Sequence, residues 1–403
     1  MKNRGFHFLW IGQSLANLGD VFYIVGLMTF LYRLTGSAVY MAMVPFFSTV
    51  SRFLSALIAP IVLEWMGLKR NLVISQACKS IMLLGFFSLT IYSLKSAGIL
   101  IVFLVVVLIS FLDGWATPAR GALVPLLVPK KKLMARNSFL SLMDQSMAMG
   151  GWALGGIFAA HLGSSFLIAV TLSLYCIATL CMGLIRIPKK DLGEKDRGGQ
   201  SKWLLMKSGW SAVRQIPTLR TLFIVESLCA FADVVWIAAI IYVFVDQALH
   251  VDASWWGYIN FSFFTGLVLI SFYGMRWSVH LKRHAASFAT VGTFLASIIT
   301  LVFGMNSVPW AALVLTLLYG IAVQLQSVIF LTIEQKTVTP NQLANIFAVQ
   351  DALQSMLFGI GSLLFGYLAD VLGVRSVFYI SASLLFLAFL LVFASRKRII
   401  IKE

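Results

Sequence analysis

The sequence predicts an all-α integral membrane protein of about twelve transmembrane helices, arranged as two parallel six-helix halves. Three observations predict it. Of 403 residues, 60% are hydrophobic and only 11% are charged, and the mean hydropathy is +0.91. A soluble domain of this size needs more charge to cover its surface. The apolar residues gather in runs of about 20 or more, the length that crosses a bilayer core. A charged stretch separates the runs into two sets, and the first run of each set carries a related short sequence.

In chain order the first set is Phe6–Tyr32, Ala38–Leu63, Leu72–Leu94, Gly98–Val124, Ser138–His161 and Phe166–Ile185. The second is Leu219–Val245, Trp255–Met275, Ala286–Met305, Pro309–Ile333, Ala344–Leu368 and Val377–Ala394. Runs of this length are helices, because an open sheet leaves its backbone unsatisfied in lipid. Residues 1–186 therefore form one half, 187–217 a cytoplasmic linker and 218–403 the other half. The opening Met1–Arg4 leads into apolar sequence with no small-residue cleavage site, so the first run is expected to be a permanent span. The linker ends in a stretch with Trp203, Trp210 and Val213 on one stripe and Lys202, Lys207 and Arg214 off it. That pattern predicts an amphipathic helix on the membrane surface.

A net charge of +16 raises the question of nucleic acid. Its placement answers it. Lys69, Arg70, Arg120, Lys130, Lys131, Lys132, Arg136, Arg276, Lys282, Arg283, Lys336 and both termini fall on one side, while the opposite loops hold little beyond Arg33, Lys95 and Arg375. This asymmetry predicts a multi-pass protein of the cell membrane with both termini cytoplasmic, and no nucleic acid partner. Cys78, Cys176, Cys181 and Cys229 lie in apolar runs without ligand spacing, so free thiols are expected. His7, His161, His250, His280 and His284 fall at loops or run ends. With no metal set and no phosphate-binding glycine loop, the chain is expected to be neither an enzyme nor an ATP-driven pump, and to use no cofactor or metal.

The repeat is QSLANLGDVFYI at Gln13–Ile24 against ESLCAFADVVWI at Glu226–Ile237, with Ser, Leu, Asp, Val and Ile in register. A weaker echo links Leu133–Asn137 with Gln342–Asn345. Charge within a span costs roughly 2.5–3.5 kcal/mol at the bilayer centre, so each such residue needs a reason. At 1.5 Å per residue, Asp20 and Asp233 lie about 20 Å from the cytoplasmic ends of their spans. Asp113, Asp144 and Asp351 also fall near the middle, and Glu226 lies nearer the cytoplasm. Of the bases, Lys79 is long enough to snorkel, while Arg52 is too central to do so easily and falls at nearly the depth of Asp20, which makes an Arg52–Asp20 pair geometrically open. Gln13, Asn17 and Asp20 share one helical face; Glu226 and Asp233 share another.

Several stretches carry a resemblance. They are Trp10–Asp20 (WIGQSLANLGD), Leu34–Ala38 (LTGSA), Thr117–Pro125 (TPARGALVP) and Leu133–Asn137 (LMARN). On these the chain resembles the major facilitator superfamily, and within it the twelve-helix drug:proton antiporter branch that includes macrolide efflux proteins. The resemblance implies a central cavity lined by the first span of each half. Asp20, Asp233 and Glu226 are then the proton-coupling candidates, since desolvation favours the neutral form of a carboxyl group. Gln13, Asn17, Tyr23, Arg52, Asp113 and Trp236 are the cavity-lining candidates.

The family's loop after the second span has a glycine, Asp-Arg, a second glycine and a basic pair. Here the matching positions are Pro60, Glu64, Trp65, Gly67, Lys69 and Arg70. The resemblance makes Glu64, Gly67, Lys69 and Arg70 gating candidates, with Lys69 or Arg70 as partner to the acid. The fifth span reads Gly150-Gly151-Trp-Ala-Leu-Gly155-Gly156, without the proline usual in antiporters. Gly151 and Gly155 still permit close helix approach. They join Asp144, Gln145, Gln350 and Asp351 as gating or interface candidates. The function expected is export of hydrophobic drug-like small molecules by proton antiport, by a monomer in the bilayer. Transport of another solute, or a transport-inactive receptor or scaffold, are the alternatives.

Overall fold

The computed structural model describes residues 2–35, 38–92, 98–187, 202–236, 238–252 and 254–396. The described chain is helical from end to end. Its first helices are α1 (Lys2–Thr35), α2 (Ala38–Met66), α3 (Leu68–Tyr92), α4 (Gly98–Leu127), α5 (Leu133–His161) and α6 (Gly163–Gly183). Then follow α7 (Lys202–Gln215), α8 (Pro217–Ala232), α9 (Ala238–Gln247), α10 (Ser254–Arg276), α11 (Ser278–Arg283), α12 (Ala285–Met305), α13 (Pro309–Thr337), α14 (Pro340–Leu372) and α15 (Val374–Ala394). α7 is the helix expected after the linker; of its stripe, Val213 is buried and Trp210 exposed. The side chains of Lys202, Trp203 and Lys207 lie outside the described residues.

Among the described residues ten helices are long and apolar enough to cross a membrane, or eleven if one bent pair counts as a single span. α5 is outside that count. Its 29 residues reach about 43 Å at 1.5 Å per residue, but it carries Arg136, Asn137, Asp144 and Gln145. Including it brings the total to the twelve that the sequence predicts.

The bent pair corrects the seventh apolar run, which reads as one continuous span. Pro217–Trp236 and Ile240–Gln247 meet at 44°. The helix tightens into a 3₁₀ turn at Asp233–Trp236. There the Ala232 carbonyl accepts a hydrogen bond from Ser381 Oγ of α15 at 2.8 Å. A side chain inserted at the backbone ladder and a 3₁₀ segment are both recognised sources of a kink.

The chain forms two compact units. The first comprises Met1–Pro129, Ser146–Trp210 and Thr339–Ser355; the second comprises Lys130–Gln145, Ser211–Val338 and Met356–Glu403. α5 and α14 thus each contribute to both.

In the first unit, α1 packs on α6, α2 on α4, and α3 on α4 and α6. Small residues set these distances. Gly12, Gly19 and Gly26 recur every seven residues on α1, and a Cβ there meets Cys181, Tyr175 and Leu167 of α6 at 3.1, 2.8 and 3.4 Å. On α2, Ser48, Ser51 and Ser55 form a polar ladder against α4. Ser48 Oγ is 2.8 Å from Ser110 Oγ, Ser51 donates to the Val107 carbonyl at 2.5 Å, and Ser55 donates to the Phe111 carbonyl. The apolar core around them includes Leu27, Leu31, Val44, Leu83, Phe86 and Val106.

In the second unit, α10 packs on α13, α12 on α13 and α15, and α8 on α15. The α10–α13 crossing is backbone to backbone. A Cβ on Gly266 comes 2.2 Å from the Leu317 carbonyl oxygen, and one on Gly320 comes 2.4 Å from the Phe263 carbonyl oxygen. Aromatic rings fill the core beside the helix break, with Phe244, Phe303 and Phe378 mutually 4.7–5.2 Å apart.

Candidate ion-coupling site

The first unit gathers four charges into one chain of ion pairs. Lys79 Nζ on α3 lies 2.7 Å from Asp20 Oδ1 on α1 and 2.7 Å from Asp113 Oδ1 on α4. Arg52 on α2 reaches Asp113 Oδ2 at 3.3 Å. Tyr175 on α6 donates its hydroxyl to Asp20 Oδ1, and its ring faces Lys79 Nζ, 4.7 Å from the centroid. The packing just described aims these groups. Gly19 clears space for the Tyr175 ring, so the hydroxyl meets the neighbouring Asp20. The serine ladder fixes α2 against α4 and brings Arg52 beside Asp113.

Two expectations are corrected here. Lys79 does not snorkel: its side chain is 2% exposed, because both carboxylates hold the ammonium in place. Arg52 pairs with Asp113 rather than Asp20, and its side chain remains 46% exposed. Two acids and two bases leave this cluster without net charge. A buried pair is tolerated only when its remaining hydrogen-bonding groups are also met, and Tyr175 contributes to that.

The second unit is built differently. Asp233 caps α8 at the helix break and accepts a hydrogen bond from Tyr319 of α13 at 2.5 Å. Trp236 stacks on Tyr319 with ring centroids 4.0 Å apart and planes at 21°. Among the described residues no cation pairs with Asp233. One turn pair back along α8, Glu226 hydrogen-bonds the carboxyl group of the buried Glu334 on α13.

The other candidates divide. Gln13 donates to Asn17 at 2.8 Å, as expected of a shared face. Tyr23 does not line open space; it is buried in the apolar core of the first unit. Trp236 likewise packs into the aromatic core, against Phe303 and Phe378. Gly67 separates α2 from α3 with φ at +74°, a conformation that favours glycine. Glu64 is exposed, and among the described residues it forms no ion pair with Lys69 or Arg70. Gly151 and Gly155 lie close to Val21 and Val25 of α1, where a Cβ comes within 3.0 and 3.3 Å. Asp144 and Gln145 belong to the second unit, Gln350 and Asp351 to the first. Asp351 lies within electrostatic reach of Arg52 and Asp113.

Sequence reading misses two participants. Tyr175 looks like an ordinary aromatic residue in an apolar run, and Glu334 falls at the polar end of its run. The seven-residue glycine spacing in α1 is the one signal that points toward α6 and hence toward Tyr175.

A polytopic helical chain with ion pairs held inside its spans has the build of a membrane transporter. The chain belongs to the Major Facilitator Superfamily, whose model matches residues 9–349. It is 28% identical to an uncharacterized MFS-type transporter, YfmI, of Bacillus subtilis, over 96% of this chain and 94% of that protein. It is 22% identical to macrolide efflux protein A of Streptococcus pyogenes, over 94% and 93%. Among solved structures, the human organic anion transporter MFSD10 superposes with a TM-score of 0.73 at 14% identity, covering 97% of this chain and 99% of that one. The fucose:proton symporter FucP of E. coli gives a TM-score of 0.73 at 12% identity, covering 95% and 98%. The fold is therefore that of a major facilitator, and the chain is a secondary transporter.

Proposed function

We propose that this transporter exports hydrophobic drug-like compounds from the cytoplasm in exchange for protons, by alternating access, with Asp233 as the principal proton-carrying group. The observation that carries this is the contrast between the two repeated aspartates. Asp20 is engaged by Lys79, whereas Asp233 has a hydroxyl donor and, among the described residues, no cation. A proton can join and leave Asp233 without breaking an ion pair. Asp233 also stands where α8 breaks, and interrupted helices are where ion and substrate sites form in many transporters. The drug-like substrate class is supported by the resemblance to macrolide efflux protein A. The excess of basic residues on one set of loops supports cytoplasmic termini.

The test uses inside-out vesicles from an efflux-deficient bacterial host, an imposed pH gradient, ethidium and a macrolide. Wild type accumulates at least one of them only with the gradient. Asp233→Asn at equal expression loses that dependence. Gradient-driven accumulation that survives Asp233→Asn removes Asp233 from the role, and none in wild type removes these compounds as substrates.

A further inference from the structure

We propose that the carboxylates of Asp20 and Asp113, with Tyr175, form a monovalent-cation site that Lys79 fills from within the chain, and that Lys79 thereby excludes exchangeable cations from this part of the molecule.

The geometry is that of a bound ammonium ion. An ammonium has three donors and no acceptor. Lys79 Nζ meets one carboxylate oxygen of Asp20 and one of Asp113, each at 2.7 Å, and faces the Tyr175 ring. Two charge-assisted hydrogen bonds and a nearby π face hold the ammonium. The site is preformed by four helices: α1 brings Asp20, α4 Asp113, α6 Tyr175 and α3 the cation. Tyr175 and Arg52 hold the two carboxylates from outside, through Asp20 Oδ1 and Asp113 Oδ2. The charged and titratable groups around Lys79 are thus Asp20, Asp113, Tyr175 and, across Asp113, Arg52. Tyr23 lies one turn beyond Asp20 with its hydroxyl buried and unpartnered. Without Lys79 two partly buried carboxylates face each other with only Arg52 as counter-charge, which favours uptake of another cation or of a proton. The ligand class is a primary ammonium or alkali ion small enough to fit between two carboxylates.

The consequence for coupling rests on the proposed proton antiport: with Lys79 in place, only the second unit exchanges a cation per cycle. The site itself does not depend on that reading, and its test needs no transport.

Purified Lys79→Ala is melted in detergent with sodium chloride, propylammonium chloride or tetramethylammonium chloride. Propylammonium replaces the atoms removed beyond Cβ. The melting temperature of Lys79→Ala is expected to climb by several degrees with propylammonium concentration, while wild type is unmoved. Tetramethylammonium, lacking N–H donors, is expected to have no effect. The paired variant Lys79→Met with Asp20→Asn restores neutrality with Arg52 and Asp113 and is expected to fold and ignore propylammonium. Equal shifts in wild type, no shift in folded Lys79→Ala, or no folded Lys79→Ala in any of the salts while the paired variant folds, each overturn the site. In vesicles, Lys79→Ala is expected to move one more positive charge per ethidium exported. An unchanged charge ratio overturns the coupling role, and loss of gradient-driven transport in wild type rejects antiport while leaving the melting result standing.

Discussion

Tyr175 donates its hydroxyl to the same oxygen of Asp20 that receives Lys79 Nζ at 2.7 Å. One carboxylate oxygen therefore ties α1 to both α3 and α6. The phenol does two jobs from one position, since its ring also faces the ammonium.

Tyr175→Phe separates those jobs. The ring and its contact with Gly19 remain, and only the hydroxyl is lost. A hydrogen bond to a charged group contributes roughly 1.5–3 kcal/mol, and Lys79 still holds Asp20. The variant is expected to fold and to melt a few degrees below wild type. Lys79→Ala without added cation is expected to fall much further, because it strands two carboxylates. Thermal unfolding followed by tryptophan fluorescence in detergent ranks the two, and the reverse order disproves this division of roles.

The α10–α13 crossing gives a second expectation. Gly266→Val puts a side chain where the Leu317 carbonyl oxygen is already 2.2 Å from the first added carbon. The obstacle is backbone and cannot rotate away, so the helices must separate. Overpacking typically costs about 1–3 kcal/mol and more when backbone must shift. Gly257→Val on the same helix, where an added Cβ meets nothing within 4 Å, is the control. The yield of monodisperse protein by size-exclusion chromatography is expected to collapse for Gly266→Val alone.

The limits of sequence reading follow from the same packing. Hydropathy located the spans, because bilayer thickness demands long apolar runs whatever their neighbours are. Counting residues along a helix gives relative depth, and it puts Asp20, Asp113 and Arg52 near one level, where the chain of ion pairs joins them. It gives no distance between helices. Arg52 and Asp20 share a depth, yet the serine ladder directs Arg52 to Asp113 instead. Lys79 looked able to reach the interface because length permits it; only the two carboxylates on other helices hold it inside. The break at Asp233 has no proline to announce it, and the Ser381 contact that accompanies it comes from a helix about 150 residues away in sequence.

Outside the spans, Asp252 accepts the Ser254 backbone N–H at 2.8 Å as α10 begins. The Ser254 hydroxyl and this N–H hold the Asp252 carboxyl below its usual range. A group whose value is depressed on folding adds stability above its unfolded value, and that stability is lost as pH falls through the folded one. Asp252→Asn keeps a short polar acceptor and removes the titration. Its stability relative to wild type is expected to improve as pH drops below about 4, the ordinary aspartate range. Parallel melting curves from pH 3 to pH 6 test this, and a difference that does not change with pH rejects it.

Tyr319→Phe asks the corresponding question of the second unit. Tyr319 is the hydroxyl donor to Asp233 at 2.5 Å, and its ring supports Trp236. Removing the hydroxyl leaves the stack and the surrounding phenylalanines intact, so the variant is expected to fold and, like Tyr175→Phe, to melt only a few degrees below wild type. What changes is the environment of a carboxyl group that has no cation among the described residues. The loss of a hydrogen bond to a charged group, roughly 1.5–3 kcal/mol, corresponds to about tenfold or more in any step that depends on the ionised form of Asp233. Gradient-driven export in vesicles is expected to fall by about that factor, whereas Tyr175→Phe, acting on the Lys79-held Asp20, is expected to lose far less. Equal losses in the two variants imply that both aspartates serve coupling alike, and the assignment of the proton to Asp233 then fails.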